Sequence, residues 1–289
     1  MSMRTEREMM SLILSIADND DRIRAVYMNG SRANPQVAKD SLQDYDIVFA
    51  VTETASFLAD KDWISSFGDI AMVQEPDSAE FGWGEGCDLE QSYGWLILCK
   101  DGNRIDLHIR ILHAAISEYL TDTLTVLLMD KDGILPELPP SSDKGYRIKK
   151  PTNQQFAGCC NEFWWCLQNV AKGIKRDQLT YAMKMYNDIV HHELEKMMEW
   201  YIGIKTNFSV SVGMWGKYFK AHLSPEKYHQ YTATYSDSDY DHLWKAVFNA
   251  CDLFRDTAVE VADSCGFTYN KADDENMTAY LRHLYLMNE

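Results

Sequence analysis

The period of the apolar positions changes along this chain near residue 150. Before that point, after one helical stretch at the start, they fall in short runs of the kind that strands make. Beyond it they recur every three or four residues, as on one face of a helix. At the start, Thr5 and Glu8 have capping-box spacing ahead of Met9, Ile13 and Ile16, which predicts a helix over residues 5–18. "RIRAVYMN" (22–29) alternates Ile23, Ala25 and Tyr27 with charged or small neighbours and reads as a strand. "YDIVFAVT" (45–52) is richer in β-branched residues and predicts a buried strand. "IAMVQ" (70–74), "GWLILCKDG" (94–102) and "RIDLHIR" (104–110) complete a sheet, the last two joined by a turn at Lys100-Asp101-Gly102-Asn103.

The segment "LPELPPSSDKGYRIKKPT" (135–152) holds four of the seven prolines and marks a boundary. After it, Leu179, Met183, Tyr186, Val190, Leu194, Met197 and Tyr201 form one helical stripe. Leu243, Val247, Cys251, Phe254, Ala258 and Val261 form another. The expected fold is α+β: an N-terminal domain (1–135) with a mixed sheet flanked by helices, then an all-helical domain (136–289).

Charge narrows the partners. A net charge of −16 disfavours nucleic acid, whose binding needs basic surface, and favours cationic ligands. No run approaches the ~18 apolar residues of a membrane span, and the first residues are too polar for a secretory signal. A cytoplasmic protein, monomer or weak homodimer, is expected. The seven cysteines include no Cys-x-x-Cys pair, so reduced, mostly buried thiols are expected.

The candidate chemistry lies in "MNGSRANPQVAKDSLQDYDIVF" (28–49). A strand ends at Gly30-Ser31, where a glycine lets backbone N–H groups approach phosphate oxygens. After a spacer of twelve residues, Asp44 and Asp46 open the next strand. Residues i and i+2 of a strand share a face, and two carboxylates held there repel one another unless a cation lies between them. Magnesium, a hard ion with oxygen ligands, suits that demand. If Ile105, Leu107 and Ile109 face the core, Asp106 and His108 face the opposite side, and Asp106 can meet Asp44 and Asp46 as a third carboxylate. Such a set supports metal-assisted phosphoryl transfer.

This order of strand, Gly-Ser, spacer, Asp-x-Asp and a later strand Asp resembles the signature of the nucleotidyltransferase (DNA-polymerase-β-like) superfamily. "GSRAN", "DYDI", "DGNRIDLHI" and "EFWW…VAKG…YA…EWYIGI" further resemble the aminoglycoside 6-adenylyltransferases, also called streptomycin adenylyltransferases, over roughly residues 3–285. The resemblance implies a nucleotidyltransferase domain packed on a helical one. It implies transfer of AMP from ATP to a streptomycin hydroxyl, with Mg2+ required. It also implies that Ser31 contacts the triphosphate, that Asp44 and Asp46 bind the metal, and that Asp106 is the third metal-binding carboxylate near the attacking hydroxyl. Arg32 follows Ser31 and either neutralises phosphate or pairs with an acid at the surface. Lys172 in "VAKG" resembles a lysine that reaches the phosphates. The general base is Asp106 or a carboxylate from the preceding segment.

That segment, "EPDSAEFGWGEGCDLEQSYGW" (75–95), carries Glu80, Glu85 and Asp88 among six acids, with Trp83 among the aromatics and no Lys or Arg. Carboxylates and aromatic faces both attract cations, so the loop is expected to contact a cationic aminoglycoside; a solvated acidic loop is the alternative. His191-His192-Glu193 lacks the spacing of a zinc protease and reads as solvent-facing or core-edge. "FWW" (163–165) is either domain packing or an aromatic wall near the nucleotide, and the acids at 237–241 read as a helix start. Rival functions are a nucleotidyltransferase acting on another small molecule, a protein or a tRNA end, or a catalytically inactive nucleotidyltransferase-fold antitoxin or interaction protein.

Overall fold

The computed structural model describes residues 2–78 and 88–287. The chain divides into two compact units, residues 1–145 and 146–289. In the first, α1 (Glu6–Asp18) precedes β1 (Ile23–Met28), β2 (Tyr45–Val51) and the short α2 (Ala55–Ala59). Then come β3 (Ile70–Gln74), β4 (Ser92–Cys99), β5 (Arg104–Ile111), α3 (Leu112–Thr121) and β6 (Val126–Asp130). Among the described residues these strands form one six-stranded sheet, in the order β3-β4-β5-β2-β1-β6. β2 and β5 run parallel and every other pair is antiparallel, so the sheet is mixed, as expected.

The predicted first helix forms for the predicted reason. Thr5 Oγ1 accepts from the Glu8 N–H, and Glu8 Oε2 accepts from the Thr5 N–H at 2.7 Å. Its Met9, Ile13 and Ala17 pack on the sheet face formed by Ile23, Val26, Ile47, Phe49, Ile105, Leu107 and Ile109. Each such burial contributes roughly 1.5–3 kcal/mol for the larger side chains. The opposite face, with Ala25, Tyr27, Val48 and Ala50, is covered by Ala115 and Tyr119 of α3. β1 therefore departs from the one-sided alternation expected of it: Val26 and Met28 are as buried as Ile23 and Tyr27. It lies inside the sheet because β6, which the sequence reading did not anticipate, pairs along its outer side. Residues beyond Leu135 stay on this unit. Ser141 Oγ donates to the Ala33 carbonyl at 2.7 Å and the Ser142 N–H to that of Thr123 at 2.8 Å.

The second unit is helical: α4 (Asn153–Lys175), α5 (Leu179–Met185), α6 (His191–Lys205), α7 (Phe219–His222), α8 (Pro225–Thr232), α9 (Tyr240–Cys265) and α10 (Lys271–Leu286). A π-helical turn, Tyr186–Val190, joins α5 to α6 and keeps the predicted stripe continuous through buried Tyr186, Val190, Leu194 and Met197. Phe163 stacks on Phe254 at 3.8 Å between centroids and Trp164 is buried with them, whereas Trp165 is exposed. His191 is not solvent-facing: it is buried, its Nε2 3.0 Å from Thr234 Oγ1, while His192 is exposed. Asp239 caps α9, accepting from the N–H groups of Asp241 and His242. Five of the six cysteines described are buried thiols and Cys265 is half-buried. Among the described residues, no helix is long and apolar enough to cross a membrane.

Candidate active site

The site grows from the ends of β1, β2 and β5. β1 runs out at Met28, and Gly30 then takes φ 74° and ψ −155°, a conformation open to glycine alone. A β-carbon there would lie 2.0 Å from Asp46 Oδ2, so the missing side chain makes room for a carboxylate. The Asn29 N–H donates to the Asp46 carbonyl at 2.9 Å and fixes the turn to β2. Ser31 opens a single 3-10 turn, with the Gln43 amide 3.4 Å from its hydroxyl.

Arg32 is buried rather than at the surface, and an acid does lie beside it, Glu6 Oε2 at 3.7 Å from its Nη1. Its Nη2 donates to the Gln43 carbonyl at 2.8 Å and its Nε to that of Asp44 at 3.1 Å. The guanidinium lies 3.9 Å over the Tyr45 ring. It ties the Gly-Ser turn to the Asp-Tyr-Asp segment, a structural brace on the strand that carries the carboxylates.

Parallel pairing sets Asp46 beside Asp106, with Val48 beside His108 and Ala50 beside Arg110 in the same register. Paired neighbours point to the same side of a sheet. The two carboxylates thus share the α3 face, at the end of the strands where β2 and β5 begin. Asp44 lies just before β2. A cation sits among them: Arg104 Nε and Nη2 each donate to one oxygen of Asp106 at 2.7 Å, and Nη1 lies 3.6 Å from Asp44 Oδ2. The hydrogen bond to Asp106 chiefly, and then the charges of Asp106, Asp44 and Asp46, hold Arg104 more firmly protonated than usual.

Two residues further along β5, His108 lies over Gly94 of β4. A β-carbon on Gly94 would meet its Cε1 at 2.7 Å and Asp77 Oδ2 at 3.3 Å. Burial pushes the His108 imidazole below its ordinary value, helped by the Arg110 charge, while Asp77, Glu118 and Asp106 pull the other way.

Of the acidic-loop residues, Asp88 is exposed and holds the turn into β4, accepting from the Glu90 N–H and from Gln91 Nε2. Glu80, Trp83 and Glu85 lie outside the described residues. Lys172 belongs to α4 of the helical unit, where its Nζ donates to Gln168 Oε1 at 2.7 Å. Arg104 and the Gly94–His108 packing went unnoticed in the sequence; the available signal was that Arg104 and His108 flank Asp106 at i−2 and i+2.

Among the described residues, no three His, Cys, Asp or Glu side chains are grouped to hold a metal ion as they stand; the oxygens of Asp106 are turned to Arg104 instead. The donor chemistry still fits magnesium. The three side chains offer hard carboxylate oxygens, and the place already holds a positive charge.

A family model described as streptomycin adenylyltransferase matches residues 3–284. The chain belongs to this family. The aminoglycoside 6-adenylyltransferase of Bacillus subtilis (strain 168) is 36% identical over 284 residues, 98% of this chain and 99% of that protein. The aminoglycoside 6-adenylyltransferase of Campylobacter jejuni is 36% identical over 274 residues, 94% of this chain and 93% of that one. A crystal structure of an aminoglycoside 6-adenyltransferase from Bacillus subtilis aligns with 99% of this chain and 100% of that chain, at 32% identity and a TM-score of 0.49. As a member of the streptomycin adenylyltransferase family this chain is a nucleotidyltransferase, and the family implies ATP as co-substrate.

Proposed function

We propose that this enzyme transfers AMP from ATP to a hydroxyl of an aminoglycoside, with streptomycin the first candidate, and that Mg2+ is required. The observation that carries the reading is the pairing of Asp46 with Asp106 beside Asp44, at a turn where Gly30 leaves room for a carboxylate. The family match supports the reaction class, and the names of the relatives support the substrate class.

In this reading the sugar hydroxyl attacks the α-phosphorus, the α–β phosphoanhydride bond breaks and pyrophosphate leaves. Asp106 takes the hydroxyl proton. Asp44, Asp46 and Asp106 hold the ion, which when bound would neutralise charge building on the phosphates. Gly30 and Ser31 present backbone N–H groups and a hydroxyl to the triphosphate. Arg32 keeps the turn and the aspartate segment in register. Asp88, with Glu80, Trp83 and Glu85, selects a cationic substrate by charge and ring-face attraction.

The test is magnesium-dependent pyrophosphate release from ATP, screened against a panel of aminoglycosides, with mass spectrometry of the product. A product heavier by one adenylyl group is expected with streptomycin. Transfer to no aminoglycoside in the panel would refute the substrate class.

A further inference from the structure

Arg104 takes no part in the transfer described so far, yet it is joined directly to two of the three aspartates, Asp106 and Asp44. It opens β5 two residues before Asp106, so both side chains lie on the same face of the strand. Its guanidinium covers both oxygens of Asp106 at 2.7 Å in a two-pronged pair and reaches within 3.6 Å of Asp44. It is no buried brace of the Arg32 kind: the Arg104 side chain is 44% exposed, whereas that of Arg32 is 3% exposed, with its Nε and Nη2 on backbone carbonyls and its Nη1 3.7 Å from Glu6. An exposed guanidinium is free to leave where a buried one is not.

Arg104 and a divalent ion compete for the same oxygens, because two cations at that distance repel each other and both prongs of the guanidinium already occupy the Asp106 carboxylate. The carboxylates would not stay together readily with neither cation present. We propose that Arg104 is a displaceable counter-cation. It holds Asp44, Asp46 and Asp106 together until the magnesium nucleotide arrives, then yields the carboxylates and pairs with the nucleotide's phosphates. The second half follows from charge and shape: the triphosphate brings more negative charge than the ion offsets, and a planar guanidinium matches phosphate oxygens as it matches a carboxylate. The inference rests on the reading of the three aspartates as the ion's ligands.

Three variants test it: Arg104→Ala, Arg104→Lys and Asp46→Asn. Binding of Mn2+ or Mg2+ is measured by calorimetry without nucleotide, and binding of ATP with magnesium but without aminoglycoside. Arg104→Ala should bind the ion about three- to tenfold more tightly than wild type, because a competitor is gone. It should bind magnesium-ATP about tenfold more weakly. Its metal-free form should melt at a lower temperature and regain more on adding magnesium than wild type does. Arg104→Lys, which keeps the charge but loses the fork, should fall between the two in both affinities. Unchanged or weaker ion binding in Arg104→Ala, with ion binding lost in Asp46→Asn, overturns the counter-cation while leaving the metal reading standing. Unchanged ATP affinity in Arg104→Ala overturns the hand-over to phosphate. Ion binding in Asp46→Asn equal to wild type overturns the metal reading and this inference with it.

Discussion

The carboxylate of Asp46 fills the space that a side chain on Gly30 would need, its Oδ2 2.0 Å from where a β-carbon would stand. Gly30→Ala therefore meets two obstacles, a clash and a backbone at φ 74° and ψ −155° that alanine resists. The backbone alone should cost about 1–3 kcal/mol. Because the group displaced is Asp46, turnover should fall more than stability requires, by at least ~tenfold at temperatures where the variant is folded. Thermal melting and transfer assays on one preparation separate the two effects, and wild-type turnover would show that Asp46 needs no such close approach.

Asp46→Asn and Asp106→Asn each keep the shape and remove one charge. Transfer should drop by about a thousandfold or more, since metal-centred stabilisation of a phosphoryl group is worth several kcal/mol. Circular dichroism and melting should match wild type to within a few degrees. A folded variant with ordinary turnover would take that aspartate out of the reaction.

Arg32 should behave as a brace. Arg32→Ala strands the carbonyls of Gln43 and Asp44 and removes the cation over Tyr45, at a cost of about 2–4 kcal/mol. Arg32→Lys should recover little, since one ammonium cannot serve both carbonyls and the ring. In denaturant titrations both variants should unfold early, while the affinity of the folded fraction for ATP changes little. A large loss of ATP affinity with unchanged stability would return Arg32 to the phosphates.

Acid should loosen the tie between the N-terminus and the β4–β5 turn. Arg4 Nε donates to Asp101 Oδ2 at 2.6 Å, and Asn103 donates to the same carboxylate from its backbone and side chain. Burial alone would raise Asp101, but these hydrogen bonds, that from the Arg4 side chain foremost, hold it well below the usual carboxylate range. The folded value is the depressed one, so the stabilisation is complete above the unfolded value of 3.8 and is lost as pH falls below it. Arg4→Ala should melt below wild type at pH 7, and the gap should narrow steadily from pH 4 to pH 2. A gap that stays constant would assign the loss to packing rather than to the carboxylate.

The three aspartates were legible because strand geometry is simple: i and i+2 share a face, and an Asp flanked by Ile105 and Leu107 must point away from the core. What Arg104 does was not legible, because an arginine two residues before an aspartate looks like ordinary strand surface until β2 lies beside β5. β6 escaped for a related reason. Leu127 and Met129 do not alternate with polar residues, and the partner that makes the segment a strand is remote β1. For Arg32, adjacency to Ser31 suggested phosphate or a neighbouring acid, and only the folded turn brings the Gln43 and Asp44 carbonyls and Glu6 within its reach. The acidic loop spoke through composition alone, and composition does not say which acids also hold local turns, as Asp88 does.

The parallel pairing of β2 and β5 also makes the candidate active site a sensor of correct assembly. Side-chain direction in a strand has a period of two, so a slip of one residue would set Asp106 beside Tyr45 or Ile47 and turn one carboxylate toward the apolar layer under α1. The error is thus penalised twice, by a charge driven into hydrocarbon and by the loss of the paired carboxylates. The residues proposed to do the chemistry are among those that reject the wrong sheet, so a chain that reaches its folded state has had its strand register checked by the same aspartates.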